Sequence, residues 1–220
     1  MSRTASRACT TVKHTAVLLK LDISRAFNSL SWPFLFEVLR KKGFGAKWIG
    51  WISILLRTAS TKVVVNGIPG RSIAHACGLR QGDPVSPYLF VISAEGLSAL
   101  LVDAEQRGML HGVKICPRAP CVSHLFFVDD SMIMLKANQQ EAVALREILD
   151  LYENCSSQCI NLEKSALMFS QNTSEVSKDE VKAALGIVSE NWNERYLGLP
   201  VHVGRSRRKV FAYIKKNLCG

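Results

Sequence analysis

This chain predicts an α+β fold with a largely antiparallel sheet packed on helices, and three observations carry the prediction. Strand-like apolar runs and segments of helical periodicity are intermixed along the chain rather than collected into separate blocks. At least two pairs of neighbouring β-prone runs are joined by turn residues and read as hairpins. The 220 residues, 48% hydrophobic with only 7 prolines, are enough for one large domain or one and a half, with a sizeable core.

The elements follow in order. Ala16 to Asp22, AVLLKLD, is mostly apolar and ends on a carboxylate, which suits a buried strand whose C-terminal end reaches a site. Ser31 before Trp32 and Pro33 is a helix-start signal, and Leu35, Val38 and Leu39 repeat on one helical face until Gly43. Trp48 to Leu56 predicts a second helix. TKVVVN, the turn residues Asn66 to Gly70, and RSIAHA together predict a β-hairpin. The glycine-rich loop CGLRQGDPVSP comes next, and Pro84 and Pro87 mark its exit into a helix over 86–106. CVSHLFFV and SMIMLK are β-prone runs joined by Asp129 and Asp130, a hairpin with two carboxylates at its tip. Leu145, Ile148, Leu149 and Tyr152 have the spacing of an amphipathic helix over 139–157. A strand near 166–170, a helix near 176–185, a strand from Tyr196 to Pro200 and a basic helix from about Ser206 complete the chain. No repeat or linker divides it. The expected organisation is a basic extension over 1–15, one folded unit over 16–204 and a basic terminal segment over 205–220.

Charge narrows the function classes. The formal net charge is +10, and both ends are basic without a single acid. Arg3, Arg7, Lys13 and Lys20 lie at one end, and Arg205, Arg207, Arg208, Lys209, Lys215 and Lys216 at the other. Such a distribution suits a polyanion, although a solvated surface accounts for the charge equally well. The longest charge-free stretch, Pro84 to Ala94, is far short of the roughly 18 apolar residues of a membrane span, so no membrane is expected. The N-terminus lacks the apolar core of a signal peptide. The 7 cysteines form no C-x-x-C pair and are expected to be reduced, mostly core residues of an intracellular protein, in nucleus or cytoplasm and not secreted. Cys155, Cys159 and His202 lack the four-ligand spacing of a zinc site.

Three acids stand at the ends of apolar strands: Asp22, Asp129 and Asp130. If the first strand pairs beside the later hairpin, the three carboxylates converge and repel one another. A divalent cation with hard oxygen ligands resolves this, and Mg²⁺ completes its shell with water and substrate phosphates. Two such ions would suit phosphoryl transfer. Taken alone, an Asp-Asp pair is equally an ordinary turn.

LKLDISRAFNSLSW, GLRQGDPVSPYLF, FFVDD, INLEKS and YLGLP, in this order, resemble motifs A to E of a reverse transcriptase palm, most similar to plant non-LTR retrotransposons of the LINE type, from about Val17 to Gly204. The resemblance implies a polymerase palm with an antiparallel sheet and RNA-directed DNA polymerase chemistry. It implies two Mg²⁺ ions, with Mn²⁺ as an alternative, on Asp22, Asp129 and Asp130. Phe27 falls where the family places an aromatic that excludes a ribose 2′-hydroxyl. Gln81 and Gly82 correspond to residues that contact the incoming nucleotide, and Arg80 is a further candidate contact. Lys164 resembles the lysine proposed to protonate departing pyrophosphate; a solvated surface lysine is the alternative. Tyr196, Leu197 and Gly198 match the primer grip. The implied partners are an RNA template, a DNA primer and dNTPs.

The chain also departs from the pattern. Only twenty-one residues precede Asp22, so the family's fingers are expected to be missing and bare apolar surface is expected near the N-terminal strand. Residues 205–220 would begin a thumb or connection, with the remaining segments belonging to a longer polyprotein. Asn28 and Val128 stand where the family often has Asp and Ala. The alternative function is an inactive retroelement fragment that retains nucleic-acid binding only.

Overall fold

The computed structural model describes residues 15–114, 119–127 and 130–190, and the backbone of 195–196 and 199–200. Its centre is a four-stranded sheet in the order β6–β7–β1–β8, formed by His124–Phe127, Asp130–Lys136, Ala16–Leu21 and Ala166–Phe169, with every neighbouring pair antiparallel. β1 is central because its AVLLKL run is apolar on both faces. Side chains alternate along a strand, so Val17, Leu19 and Leu21 face one way while Leu18 faces the other.

The first face, with Ile133, Leu135, Leu167 and Phe169, is covered by three helices. These are α4 (Ser86–Gln106), α5 (Gln139–Ser156) and α6 (Glu175–Leu185). Each starts or stops on identifiable chemistry. Asn138 Oδ1 accepts from the Glu141 amide at 2.8 Å to cap α5, Ser174 Oγ accepts from Ser177 N at 3.2 Å to cap α6, and Gly186 ends α6 at φ 71°. The second face is thinner: Leu18, Met132, Met134 and Met168 pack with Val113 of the small β4–β5 hairpin (Val113–Lys114 and Cys121–Val122).

A second helical body adjoins the sheet. α1 (Ala26–Ser29), α2 (Trp32–Lys41) and α3 (Ala46–Arg57) bury Leu30, Trp32, Leu35, Leu39, Ile49 and Leu56 against Leu89 and Phe90 of α4. α4 therefore serves two cores, its first turns in this cluster and its last, with Leu97 and Leu101, on the sheet. By length and composition it could cross a membrane; here those four side chains are buried, which makes it the fold's central helix.

Several expectations shift. The β2–β3 hairpin (Ser60–Val65 and Ile68–Ala74) turns on Asn66 and Gly67 alone, at φ 50° and 80°, so Pro69 and Gly70 belong to the strand. A proline is tolerated because a two-stranded hairpin has free edges and Pro69 lies beside a register shift. α3 begins at Ala46, two residues before Trp48. Arg195–Tyr196 and Leu199–Pro200 pair as two short strands, β9 and β10, where one strand was expected. Cys77, Cys121, Cys155 and Cys159 are exposed, not core. The bare apolar surface lies on β2–β3, at Val63, Val64, Val65 and Ile68, and on α3, at Trp51 and Ile54. The described part of β1 is buried instead, because sheet and helices enclose it on both sides. The basic segments 1–14 and 201–220 lie outside the described residues.

Candidate active site

The paired strands determine which acids meet. β1 and β7 run in register from Ala16↔Lys136 to Leu21↔Ser131. One further step sets Asp22 opposite Asp130, on the face that carries Leu18 and Met132. Directly opposed residues of an antiparallel pair stand about 5 Å apart at Cβ, and like charges so placed repel. Both carboxylates are half-buried. Asp130 also pairs with Phe127, so it heads the strand β7 instead of standing at the hairpin's tip, where it was expected. The reason is the pleat: Met132 and Met134 must face one core and Ile133 and Leu135 the other, which draws Asp130 into the ladder. Asp129 lies outside the described residues.

Asp22 is clamped through its backbone. Its amide donates to Ser165 Oγ at 3.1 Å, its carbonyl accepts from Asn161 N at 2.9 Å, and the neighbouring Ser24 N donates to Cys159 O at 2.8 Å. Asn161 Oδ1 in turn accepts from Lys164 N at 3.2 Å, which ties the exposed Lys164 to the same turn as the first acid. Sequence reasoning passed over Ser165 and Asn161; only the pairing of β8 beside β1 discloses their role.

A second loop is pinned beside the site. Gly78 N donates to Leu30 O at 2.8 Å, Leu79 N to Phe27 O at 2.6 Å, and the buried Trp32 indole Nε1 donates to Gly78 O at 2.7 Å. The glycine-rich loop is thereby fastened to the turn that carries Phe27. The Phe27 ring is half-buried and stacks on Phe90 with centroids 4.5 Å apart and planes 10° from parallel. From below, Gln158 Nε2 donates to Ala26 O at 2.8 Å while Gln158 Oε1 accepts from the Tyr152 hydroxyl. Tyr152 is buried, and that burial raises its phenol far above the ordinary range, so it stays a donor. Beyond Leu79, Arg80, Gln81 and Gly82 are exposed, Gly82 at φ 84°, and Asp83 Oδ1 accepts from Val85 N at 2.8 Å as the loop enters α4.

The fold thus brings Asp22, Asp130 and the turn bearing Lys164 together, and joins Phe27 to the loop bearing Arg80, Gln81 and Gly82. For the primer-grip residues it gives only the backbone of Tyr196; Leu197 and Gly198 lie outside the described residues. Among the described residues no three His, Cys, Asp or Glu side chains gather as a metal site. Asp22 and Asp130 nevertheless fit a hard cation: they are two oxygen donors whose opposition calls for positive charge between them. His202, the third zinc candidate beside Cys155 and Cys159, also lies outside the described residues.

On the far edge of the sheet, His124 lies between Ser98 Oγ, 2.8 Å from Nε2, and Ser123 Oγ, 3.0 Å from Nδ1. Burial lowers its pKa from the ordinary value, against the opposing pull of Glu105 and Glu95. A histidine held neutral in the folded state contributes stability that is fully present above about pH 6.5, its unfolded value, and is lost as pH falls through the depressed folded value. His124→Gln should therefore narrow the difference between the urea midpoints at pH 7.5 and pH 5. Equal differences in variant and parent would mean that the ring titrates as it does in water.

Comparison with known proteins agrees with this architecture. Residues 2–201 match the family described as Reverse transcriptase (RNA-dependent DNA polymerase). An uncharacterized mitochondrial protein of Arabidopsis thaliana, AtMg01250, is 43% identical over 68 residues, which is 31% of this chain and 56% of that protein. The Pol polyprotein of the type-1 retrotransposable element R2 of Nasonia vitripennis is 30% identical over 128 residues, 58% of this chain and 12% of the polyprotein. The chain therefore spans less than two thirds of either relative. Apo telomerase of Candida Tropicalis, truncated from its C-terminal domain, shares the fold at a TM-score of 0.56 and 14% identity, over 79% of this chain and 34% of that one. The chain belongs to the reverse transcriptase family, with polyproteins of non-LTR retrotransposable elements among its relatives.

Proposed function

We propose that this chain is the catalytic palm of an RNA-directed DNA polymerase, extending a DNA primer 3′-hydroxyl with dNTPs on an RNA template in the nucleus or cytoplasm. The observation that carries the reading is the β1–β7 register, whose continuation by one residue sets Asp22 against Asp130, beside a glycine loop fastened to the Phe27 turn. Asp22 and Asp130, with Asp129, would hold two Mg²⁺ ions, or Mn²⁺. When bound, such ions lower the pKa of the attacking hydroxyl and offset charge on the leaving group.

The chain's own residues supply the rest. Phe27, backed by Phe90, offers a flat face under the sugar, where a 2′-hydroxyl would meet the ring edge and a deoxyribose would not. Gln81 and Arg80 offer exposed donors to the incoming nucleotide, and Gly82 allows its backbone close approach without a side chain. Lys164, in the turn that holds the Asp22 backbone, would give a proton to departing pyrophosphate. Tyr196, Leu197 and Gly198 would hold the primer end. The basic excess serves template and primer phosphates in a salt-dependent way.

Primer extension on an RNA template with dNTPs and Mg²⁺ tests this, comparing the parent with Asp22→Asn and Asp129→Asn. Both variants keep the shape of the side chain and remove a charged oxygen donor. Extension by the parent, with a loss of about 10³-fold or more in either variant, is the expected result. Equal extension by all three would refute the assignment of the acids. No extension by any, with salt-dependent binding of the hybrid retained, would replace the polymerase reading with that of an inactive binding fragment.

A further inference from the structure

We propose that the cleft between α2 and α3 is a second nucleic-acid site, taking a short single strand rather than the template–primer duplex. The cleft encloses about 590 Å³. Phe36 and Arg40 line it from α2, one helical turn apart, and Phe44 lines it from the connection. Gly50, Ser53 and Arg57 line it from one face of α3, at steps of three and four residues.

Three features favour this occupant. The first is charge: between Trp32 and Thr58 the chain carries Arg40, Lys41, Lys42, Lys47 and Arg57 against the single acid Glu37, and of these Lys42 is paired with Glu95 of α4 at 2.6 Å. Arg40 gives one nitrogen, Nη1, to Glu37 at 2.8 Å, which leaves donors of its five N–H groups for a phosphate. The second is the N-terminal end of α3, where Ala46 also lines the cleft: the cap residue is Gly45, which offers no side-chain bond, and the first turn holds no acid. The first-turn amides and the helix dipole therefore add to the positive field that the two guanidinium groups create. The third is the pair of aromatic walls, Phe36 and Phe44, the latter fixed by stacking on Trp48 with centroids 4.6 Å apart. Cationic groups with aromatic faces between them are the chemistry by which proteins hold single strands without reading their sequence. A duplex does not suit the cleft, because its bases are already stacked on one another. Neither Asp22 nor Asp130 lines the cleft, so the site neither requires nor restates the polymerase reading.

Gly50 makes the idea testable without endangering the fold. A Cβ built there meets no atom within 4 Å, and its φ is not in the left-handed region, so a side chain can be added without a clash at a position that lines the cleft. Binding of a fluorescein-labelled oligouridylate of eight nucleotides would be followed by anisotropy in Mg²⁺-free buffer over a salt series. The parent is expected to bind, Gly50→Glu to bind at least about 10-fold more weakly, and Gly50→Ala to stay within about twofold. Arg40→Gln with Arg57→Gln, both on the surface, should lower the salt slope by about 0.7 for each phosphate that the variant no longer neutralises. A parent that does not bind, or a folded Gly50→Glu that binds like the parent, overturns the proposal. Gly50→Glu would still extend a primer on an RNA template, and that readout separates failure of the cleft from failure of the active site.

Discussion

Alanine at Gly78 is expected to lower the Tm by about 6–20 °C, the equivalent of roughly 3–5 kcal/mol at 2–4 °C per kcal/mol for a chain of this size. Gly78 has φ 77°, where a residue with a Cβ is strained by roughly 1–2 kcal/mol. The added Cβ would also fall 2.4 Å from the Asn28 carbonyl oxygen and 2.7 Å from its carbon. Those are backbone atoms, and no rotamer change can move them aside. The loop must lift, and lifting strains or breaks the bonds of Gly78 N to Leu30 O, Leu79 N to Phe27 O and Trp32 Nε1 to Gly78 O. Each broken bond adds about 1 kcal/mol, more where a buried group is left alone. Gly82→Ala is the matched control: its φ is 84° but nothing lies within 4 Å of the new Cβ, so only the backbone strain applies. Thermal unfolding of the two variants side by side decides the matter, and a Gly78→Ala transition no lower than that of Gly82→Ala would show that the loop is not fastened as described.

The second large effect is expected at Glu141, a carboxylate with only 4% of its surface exposed. Its Oε2 accepts from both His111 N at 3.1 Å and Lys136 N at 3.0 Å, and its Oε1 lies 3.0 Å from His111 Nδ1. One side chain thus closes the end of β7 onto the segment that follows α4. Glu141→Ala leaves two amides without an acceptor, at about 1–3 kcal/mol each, and opens a space beside them, so a loss of about 3–5 kcal/mol is expected in denaturant unfolding. Glu141→Gln should cost about 1 kcal/mol. Its oxygen can keep both amides, and its nitrogen can donate to Nδ1 once that atom is unprotonated. Similar losses in the two variants would sink the account, since they would point to charge rather than to acceptor geometry.

Local patterns disclosed most of the elements. α4 occupies 86–106 as its proline signals predict, and β1, α2, α5 and α6 fall within a residue or two of their expected limits. The order of the motifs was enough to name a palm. What stayed hidden depends on contacts between distant segments. In CGLRQG the two glycines look alike, yet only Gly78 lies against another backbone, and nothing near it in sequence announces Asn28. Ser165 and Asn161 resemble ordinary loop residues until β8 pairs with β1 and brings them to Asp22. The placement of Asp130 inside the ladder, instead of at the expected tip, followed from which methionines must face which core, a condition set across the sheet. The exposed cysteines show a different gap, since a small apolar side chain carries no positional signal of its own.

The central place of β1 has a consequence for how the chain is made. Its two neighbours, β7 and β8, are both encoded more than a hundred residues downstream. At about 5–20 residues synthesised per second, the emerging AVLLKL run waits roughly 5–25 s before the first strand that can cover its edge leaves the ribosome. During that interval it is a short, β-prone segment whose first four residues, Ala16 to Leu19, carry no charge, of the kind that pairs with any strand it meets. The helices α2 and α3, which close locally, can form in the meantime, whereas Asp22 and Asp130 cannot meet until the wait is over. A ribosome stalled between the two acids would therefore carry a helical body joined to an unpaired strand, a species for chaperones to hold and one with no site for catalysis.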